Sequence, residues 1–561
     1  MELEIPELLA VTLQGQVGAQ SPLGLQLGGQ GAGTGTRVVS SHHFDGHSLN
    51  LLYQLSRSAG ARDLVFQLLA LDNLNGEPAP VRPIASLELM VPALVEWLGR
   101  DLIDGWLYQR GRDGVLLAWL VHSVRLVKPA DGEAYVLVGL LANTLRAAGR
   151  EAPTDPRLRF AGMTWGLSFY AEDLAGRTLA GMFAAQGFHK ECAEFKREYE
   201  HQLACFTRLQ PQYGAQFTVS GSAWTPGEGP RDDMTFHRLA AGAAARCVND
   251  EELLHRRFDM AADPQYWREC GIVRGFDRIP QHCYLHLFHL DWHRSIWAHV
   301  QHVDEYKYQP ALRERLVLPQ AHRDLIDILT ADRCFLMEDV VPGKSGGTTI
   351  LCKGAPGLGK TLTAEVYAEV VGKPLYRVHS GQLGVTAGSV EASLTQILQR
   401  AARWDCVLLL DEADVYIRRR GNDLQHNAIV AEFLRTLEYF SGLLFMTTNR
   451  SGDIDEAILS RCIAVIDYQP PGPADARRLW VLLSAQLGVD LPEALIDTLV
   501  ADYAEASGRD IKELLKLTSK YCRRMGLPLT ARAFAQCAVF RGLACTPSPS
   551  PVDEEERGAA S

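Results

Sequence analysis

The stretch TTILCKGAPGLGKTLTAEVYAEVVG, residues 348–372, decides the fold of this chain. It consists of a short apolar run, a glycine-rich turn that ends in Gly359-Lys360-Thr361, and a run of helix-forming residues. This is the pattern G-x-x-x-x-G-K-[ST] in the strand–loop–helix setting that a phosphate-binding loop requires. A glycine turn that precedes GKT by chance is the competing explanation, and the setting disfavours it.

The glycines let the backbone wrap around a phosphate, and the start of the helix adds the positive end of its dipole. We expect Lys360 to reach the β- and γ-phosphates of a nucleotide. The Thr361 hydroxyl is expected to bind Mg²⁺, which prefers oxygen ligands. The nucleotide-binding residues expected in this loop are Gly354, Ala355, Pro356, Gly357, Leu358, Gly359, Lys360, Thr361 and Leu362.

A second stretch, VLLLDEADVYIRRR at residues 407–420, places four apolar residues before Asp411. Such a run is typical of a strand that is buried on both faces of a parallel sheet, and ligands bind at the carboxyl ends of these strands. We therefore expect Asp411 to hold Mg²⁺, directly or through water, and Glu412 to polarise the attacking water as a general base. A solvated acidic turn is the plainer alternative.

The letters D-E-A-D within this stretch also name a family of RNA helicases. A helicase of that family needs a second RecA-like domain with an H-R-x-G-R-x-x-R element and an S-A-T string between the halves. Neither string follows Asp414. About 145 residues remain, too few for a second doubly wound domain with its linkers. The sequence therefore disfavours the helicase interpretation.

A third stretch, GLLFMTTNRSGDIDEAILSRCIAVIDY at residues 442–468, follows instead. Its first residues predict another buried strand, which ends near Asn449, an amide placed to orient a water molecule. The ordered set GAPGLGKT, LLLDEAD, TTNR and ILSRC resembles the AAA+ ATPases, and within them the AAA clade. The resemblance covers roughly residues 318–543, a little under half of the chain.

The resemblance implies roles for further residues. Asn449 corresponds to the sensor 1 residue, and Arg461 aligns with the arginine finger that completes the neighbouring subunit's site. The segment SGRDIKELLK, residues 507–516, is similar to the start of sensor 2, with Lys512 or Arg509 as the candidate. A charged helix start is the alternative for that segment, and a solvated charge or helix-end partner is the alternative for Arg461.

The stretch EFLRTLEYFSGLLFMTTNR, residues 432–450, is similar to a subgroup found in fungi and bacteria, whose helix before sensor 1 carries L-R-x-L-E-Y. AAA ATPases that thread polypeptide carry an aromatic residue, an apolar residue and Gly in a loop after the second strand. The corresponding segment here, Gly384–Gly388, reads GVTAG and has no aromatic residue, and Tyr376 is assigned to the core. The sequence therefore does not support threading by this grip.

Length, charge and cysteine usage bound the protein class. The 561 residues predict two to four domains, and the formal net charge of -11 disfavours a nucleic-acid coat, which needs clustered Lys and Arg. Twelve scattered cysteines without a C-x-x-C pair indicate reduced thiols and a cytoplasmic protein. The N-terminus MELEIPELLA has no secretory pattern, and no apolar run approaches the roughly 18–20 residues of a membrane helix.

The sequence predicts an α/β fold: a P-loop NTPase with a doubly wound parallel sheet and a small helical lid, preceded by an α+β N-terminal half. Within the N-terminal half we expect a helix near residues 236–257 and strands over 283–308. The expected segments are 1–224 (α+β region), 225–317 (second N-terminal segment, strand-rich toward its end), 318–470 (large α/β nucleotide-binding domain), 471–543 (small helical lid) and 544–561 (disordered tail).

Two clusters of side chains leave alternatives open. Zinc ligands must converge, whereas the histidines between residues 282 and 302 alternate along strands, so we expect a partly exposed surface without a metal. A run of three arginines after the acidic strand is a solvated turn or lines a pore or an inter-subunit face. The residues are His282, His286, His289, His293, His299 and His302 in the first cluster, and Arg418, Arg419 and Arg420 in the second.

The resemblance implies Mg²⁺-dependent ATP hydrolysis at the subunit interfaces of a homo-oligomeric ring, most often a hexamer. The output would be remodelling of a protein partner that the sequence does not identify, without a membrane. A nucleotide-gated switch or scaffold with slow turnover is the main alternative, and a nucleic-acid motor is disfavoured by the net charge. Residues 1–317 carry no sequence motif that indicates a catalytic or binding function.

Overall fold

The computed structural model describes residues 2–28, 35–61, 64–65, 67–68, 86–99, 102–143, 163–174, 177–226, 234–239, 244–251, 278–331, 347–384, 386–438, 440–450 and 452–543. Val385 of the expected pore segment and the expected tail, residues 544–561, lie outside the described residues. No helix in the described parts of the chain is long and apolar enough to span a membrane.

The N-terminal residues build a small unit on a two-stranded antiparallel sheet. Leu3 and Ile5 point to one side of this sheet and are fully buried, as the two-residue period of a strand requires. Its elements are β1 (Glu2–Pro6), α1 (Glu7–Val17), α2 (Pro22–Leu27), β2 (Thr36–Ser40) and α3 (Gly46–Ser58).

A five-stranded antiparallel sheet follows, with three helices. Its strands are β3 (Trp106–Arg110), β4 (Leu116–Val127), β5 (Tyr135–Ala142), β6 (Met163–Tyr170) and β7 (Phe188–Lys190), and its helices are α4 (Leu87–Leu98), α5 (Leu179–Ala185) and α6 (Ala193–Leu209). The strand order is β6-β5-β4-β3-β7. β3 and β4 pair antiparallel and form a hairpin around residues 111–114.

The third sheet has seven strands and is also antiparallel. The strands are β8 (Gln216–Val219), β9 (Ser222–Pro226), β10 (Met234–Arg238), β11 (Ala245–Asn249), β12 (Tyr284–His289), β13 (Arg294–His299) and β14 (Val303–Glu305). Their order is β10-β9-β13-β12-β11-β8-β14.

Two expectations for this part of the chain need correction. The helix expected near residues 236–257 is wrong where the structure describes it, because β10 and β11 lie there, and residues 252–257 are outside the described residues. Ladder pairing to neighbouring strands therefore outweighs the helical spacing of this segment. The division between residues 224 and 225 also falls within β9, so we propose a boundary near residue 210 instead.

The fourth sheet is parallel and carries the glycine-rich loop. Its strands are β15 (Thr348–Gly354), β16 (Leu375–His379), β17 (Val407–Asp411), β18 (Leu443–Thr448) and β19 (Ala464–Tyr468), in the order β16-β17-β18-β15-β19. Around the sheet lie α7 (Leu312–Arg315), α8 (Gln320–Ala331), α9 (Lys360–Val371), α10 (Ala387–Arg403), α11 (Asp414–Ile417), α12 (Leu424–Leu437) and α13 (Glu456–Leu459).

Helices cover both faces of this parallel sheet. Leu408 and Leu410 pack with α10 and α12, whereas Val407 and Leu409 pack with α9 on the opposite face. Burial on both faces explains why the strands are continuous apolar runs rather than alternating ones. The doubly wound parallel sheet that the sequence predicts is therefore confirmed.

Four helices follow the parallel sheet and pack around Trp480 and Phe534, whose rings meet edge to face. They form the helical segment that the sequence predicts after the large domain. The helices are α14 (Pro473–Gln486), α15 (Glu493–Asp502), α16 (Gly508–Met525) and α17 (Ala531–Val539).

The seven-stranded sheet contacts the parallel sheet through one corner. The rings of Phe288, Tyr376 and Trp404 all contact one another, and the guanidinium of Arg400 lies 4.4 Å from the centre of the Phe288 ring. Asp250 is buried and accepts a hydrogen bond from Trp404 Nε1 at 2.9 Å. This corner connects the N-terminal half to α10 and β16.

The same contacts change the interpretation of the histidine-rich stretch. The sequence predicts a partly exposed surface, and this is wrong for β12, of which all six residues are buried. His286 and His289 lie within this strand, and His282 and His299 are buried as well. Among the described residues no group of three His, Cys, Asp or Glu side chains has the arrangement to hold a metal ion.

Candidate nucleotide site

The glycine-rich turn between β15 and α9 has a backbone that only glycine adopts without strain. Gly359 has φ 94° and immediately precedes the first residue of α9. Gly357 has φ 84°, and a Cβ atom on it would lie 2.7 Å from Ser507 Oγ and 2.9 Å from Arg509 Cβ. The turn is therefore closed on one side by the start of the lid helix α16.

Lys360 is buried at the base of this turn and holds its ends together. Its Nζ donates hydrogen bonds to the carbonyl oxygens of Gly354 and Ala355 at 2.8 and 2.7 Å, and to Asn449 Oδ1 at 2.9 Å. Burial lowers the pKa of Lys360 from its ordinary value, although Asp414 and Asp411 nearby favour the charged form. The structure thus brings Lys360 and Asn449, two residues predicted from separate motifs, into direct contact.

Asp411 lies at the end of β17 and uses both carboxylate oxygens. Oδ1 accepts hydrogen bonds from Thr361 Oγ1 at 2.9 Å and Thr447 Oγ1 at 2.6 Å, and Oδ2 accepts from Arg377 Nη2 at 2.5 Å. Burial alone would raise the pKa of Asp411. The hydrogen bonds from Thr447 and Thr361 and the charge of Arg377 together hold it below its ordinary value.

Glu412 follows Asp411 and is exposed at the rim of the same cavity. Its φ of 55° lies in the left-handed region, which is strained for any residue with a Cβ atom. The Glu412 N–H donates to Thr447 Oγ1 at 3.0 Å. A strained backbone and a fixed N–H set the direction in which the Glu412 carboxylate leaves the sheet.

The cavity between the turn and the lid has a volume of about 1100 Å³. Polar residues from the predicted motifs line it, together with Arg509 and Lys512 from the lid helix α16. Apolar residues before α8 and in the lid also line it: Val317, Leu318, Leu479, Leu482 and Leu483. A lining that combines polar groups at the turn with apolar side chains fits a nucleotide with its phosphates at the turn.

The donor set at the turn fits Mg²⁺. The Thr361 hydroxyl and the Asp411 carboxylate are hard oxygen donors joined by a hydrogen bond. Mg²⁺ is commonly held by one or two such protein groups, with phosphate oxygens and water completing the octahedron. Thr361 and Asp411 are therefore the residues that would hold it.

Arg461 is placed differently from the other predicted site residues. It follows the short helix α13 and is not among the described residues that line the cavity. Its guanidinium contacts Glu438 Oε2 at 3.4 Å and the Ala457 carbonyl at 3.2 Å. Arg461 is therefore exposed on the surface of the chain and does not line the cavity.

Sequence reasoning missed several residues that shape the site. Arg377, Thr447 and Asp414 position the predicted residues: Arg377 and Thr447 contact Asp411, and Asp414 accepts from the Asn449 N–H at 3.1 Å. The arginine within the strand LYRVH could have been recognised from the sequence as the partner of a buried carboxylate, because an unpaired charge is rarely placed in such a strand. The apolar residues that line the cavity gave no signal, because by sequence they are ordinary core residues.

The expected pore segment is only partly a loop. Thr386 is the N-cap of α10, so Ala387 and Gly388 already belong to the first turn of that helix. Tyr416 Oη donates to the Gly384 carbonyl at 2.9 Å and fixes the start of the segment. Tyr376 is buried, which confirms its assignment to the core.

Comparisons with known proteins agree with this site. Residues 350–469 match the ATPase family associated with various cellular activities (AAA). An uncharacterized AAA family ATPase y4kL of Sinorhizobium fredii is 32% identical over 127 residues, 22% of this chain and 38% of the relative. The ATP-dependent zinc metalloprotease FtsH 3 of Sphaerobacter thermophilus is 28% identical over 206 residues, 35% of this chain and 42% of the relative. The chain thus spans less than half of the length of these relatives.

A chain in the structure of the E. coli MS115-1 HORMA:CdnC:Trip13 complex is also similar, with 18% identity and a TM-score of 0.34. That similarity covers 43% of this chain and 93% of the other. The family match spans β15 to β19, the strands that hold the residues described above. Residues 350–469 of the chain therefore form an AAA domain.

Proposed function

We propose that this chain hydrolyses ATP with Mg²⁺ at the interfaces of a homo-oligomeric ring and uses the cycle to remodel a protein partner. The observation that carries the proposal is the pair of contacts Lys360–Asn449 and Thr361–Asp411. They join the phosphate loop to the ends of β17 and β18 at one wall of a nucleotide-sized cavity.

Within one subunit we assign a role to each residue. Lys360 and the backbone N–H groups of residues 357–362 bind the phosphates, and Arg509 or Lys512 contacts them from the lid. When bound by Thr361 and Asp411, Mg²⁺ supplies charge neutralisation for the transferred phosphoryl group. Glu412 accepts the proton of the attacking water, and Asn449 orients that water.

Arg461 supports hydrolysis between subunits rather than within one. It does not line its own cavity, and apolar side chains just before and within the edge strand β19 are open to solvent. Ile463 is 52% exposed and Val465 is 40% exposed. Exposed apolar side chains beside a cation suit a protein–protein contact. We infer that Arg461 reaches the γ-phosphate in the adjacent subunit, with a hexamer as the proposed assembly.

We propose that the ATPase cycle moves the N-terminal half. The corner at Phe288 and Asp250 contacts β16 and α10, and Arg377 of β16 contacts Asp411. Movement of β16 during the cycle would therefore reach the seven-stranded sheet as a rigid-body shift. The partner protein is proposed to bind in this half, and the buried thiols of Cys247, Cys352 and Cys406 suit a cytoplasmic protein.

A nucleotide-gated switch with slow turnover is the second candidate. The absence of an aromatic residue in Gly384–Gly388 and the early start of α10 favour it, because they leave little of the usual peptide grip. A nucleic-acid motor is not favoured by the net charge of -11.

The test uses Glu412→Gln, which removes the proposed base and leaves the phosphate contacts. With ATP this variant should bind nucleotide, assemble into a ring visible by electron microscopy, and retain its protein partner on purification. Lys360→Ala is the matched control and should lose nucleotide binding and nucleotide-dependent assembly. Monomers of Glu412→Gln with ATP bound would contradict the ring, and turnover near one per hour in the unaltered protein would favour the switch.

A further inference from the structure

The arginine run, Arg418, Arg419 and Arg420, is partly exposed and lies against an acidic segment of the same chain. Each arginine contacts a different carboxylate of the segment that leads into α13, namely Asp453, Glu456 and Asp455. The backbone pairs as well, because the Arg419 N–H donates to the Asp453 carbonyl at 3.1 Å and the Asp455 N–H to the Ile417 carbonyl at 2.9 Å. The segment that follows α11 is thus joined to the helix before Arg461.

The three arginine contacts are not equivalent. Arg420 donates twice through its guanidinium to Asp455, from Nε at 2.8 Å and from Nη2 at 3.2 Å, and its backbone N–H donates to the same carboxylate at 3.3 Å. The Asp455 side chain is only 5% exposed. Arg418 and Arg419 make single contacts at 3.4 Å to carboxylates that are 49% and 85% exposed.

Asp455 is also the N-cap of α13, and its Oδ1 accepts from the Ala457 N–H at 3.0 Å. The helix α13 has four residues, and a single turn does not persist on helix propensity alone. Its position depends on the buried Ile458, on the Asp455 cap and on the two-point contact from Arg420. Arg461 lies two residues after the end of the helix, so its position depends on the position of α13.

We propose that Arg420 is a positioning residue for Arg461: it fixes the N-cap of α13 and so sets where Arg461 meets the adjacent subunit. The proposal rests on the proposed function, in which Arg461 acts in trans. It makes the segment after α11 in one subunit a determinant of hydrolysis in the neighbouring one. A displacement of about 1 Å of such a group costs about 100-fold in rate.

The kinetic test compares Arg420→Ala with Arg418→Ala and Arg419→Ala. Arg420→Ala should lower kcat about 10- to 100-fold and leave the nucleotide Kd within about 2-fold. Arg420→Lys should recover only part of kcat, because lysine cannot make the two-point contact. The two control variants should stay within about 2-fold of the unaltered kcat. Equal effects at all three positions would overturn the proposal.

A mixing experiment separates positioning from misfolding. Arg420→Ala subunits keep their own nucleotide site, whereas Lys360→Ala subunits keep a positioned Arg461. Mixed rings should therefore be more active than either variant alone, and a mixture that stays inactive would overturn the proposal. Arg461→Ala distinguishes the two claims: full turnover in that variant contradicts the trans role itself. Lost turnover there, with normal turnover in Arg420→Ala, contradicts only the positioning role.

Discussion

Thr447 connects the two acidic residues at the end of β17. Its hydroxyl donates to Asp411 Oδ1 at 2.6 Å and accepts from the Glu412 N–H at 3.0 Å. The left-handed backbone at Glu412 costs roughly 1–2 kcal/mol. The hydrogen bond from the Glu412 N–H offsets part of that cost. Because the same hydroxyl also fixes the Asp411 carboxylate, Thr447 sets the positions of both acidic residues relative to each other.

Thr447→Val should therefore reduce turnover with little change in nucleotide affinity. Valine keeps the shape and removes both hydrogen bonds, so we expect kcat to fall about 10-fold or more while the Kd for ATP stays within about 3-fold. The pKa of Asp411 should rise without the Thr447 contact. Since the site needs the ionised carboxylate, the acid limb of the pH–rate profile should move to higher pH.

Thr349→Val is the matched control, a buried threonine in the neighbouring strand β15. It should leave both the rate and the acid limb unchanged. A Thr447→Val protein with the unaltered pH profile would contradict the role given to this hydroxyl.

At the scale of elements, β4 and the approach to β12 meet through a buried histidine. His282 is fully buried and its Nε2 lies 2.8 Å from the Ala118 carbonyl, so the ring donates from this nitrogen as a neutral imidazole. Burial lowers the pKa of His282 to about 4. The contact between the two antiparallel sheets is thus sensitive to acid.

The sign of this effect follows from linkage. An unfolded histidine takes up a proton below about pH 6.5, whereas folded His282 does so only near pH 4, so stability falls as pH falls between these values. We expect His282 to cost about 2 kcal/mol of unfolding free energy at pH 5 relative to pH 7.5. Between pH 7.5 and pH 5 the unfolding free energy of His282→Gln, measured with urea, should fall by about 2 kcal/mol less than that of the unaltered protein. Equal slopes in the two proteins would contradict the assignment.

A second element-scale prediction concerns the corner between the seven-stranded sheet and β16. Phe288→Ala removes a ring packed against both Tyr376 and Trp404 and should lower the unfolding free energy by about 3–5 kcal/mol. The turnover number should fall too, because β16 also carries Arg377. Trp292→Ala on the same hairpin, at a side chain 42% exposed, should cost less than about 1 kcal/mol. Similar losses in both variants would contradict a specific corner.

At the scale of the whole molecule, sequence predicted the parallel sheet well because its signals are local. The glycine turn, the apolar strands and the polar residue at each strand end all lie within short windows, and the structure brings Lys360, Asn449, Thr361 and Asp411 together as two contacting pairs. The roles of these residues remain predictions.

Features that depend on distant parts of the chain were not predictable in this way. Arg377 meets Asp411 only because β16 and β17 are neighbours in the sheet. The burial of β12 depends on β11 and on Trp404, which lies far along the chain. The strands β10 and β11 replace an expected helix because sheet neighbours outweigh local spacing.

The arrangement of the molecule places the nucleotide cavity between the parallel sheet and the lid, with Arg461 outside it. One chain thus holds all but one of the proposed groups for hydrolysis in its own cavity. The account therefore requires at least two subunits for turnover.

Mixing Lys360→Ala with Arg461→Ala tests this requirement most directly. Each variant alone should be inactive, the first because it does not bind the phosphates and the second because it provides no Arg461 to its neighbour. Steady-state ATP hydrolysis by the mixture should recover, because Lys360→Ala subunits supply Arg461 to intact sites in Arg461→Ala subunits. Full turnover by Arg461→Ala alone, or a mixture that stays inactive while mixed assemblies form, would contradict hydrolysis at a subunit interface.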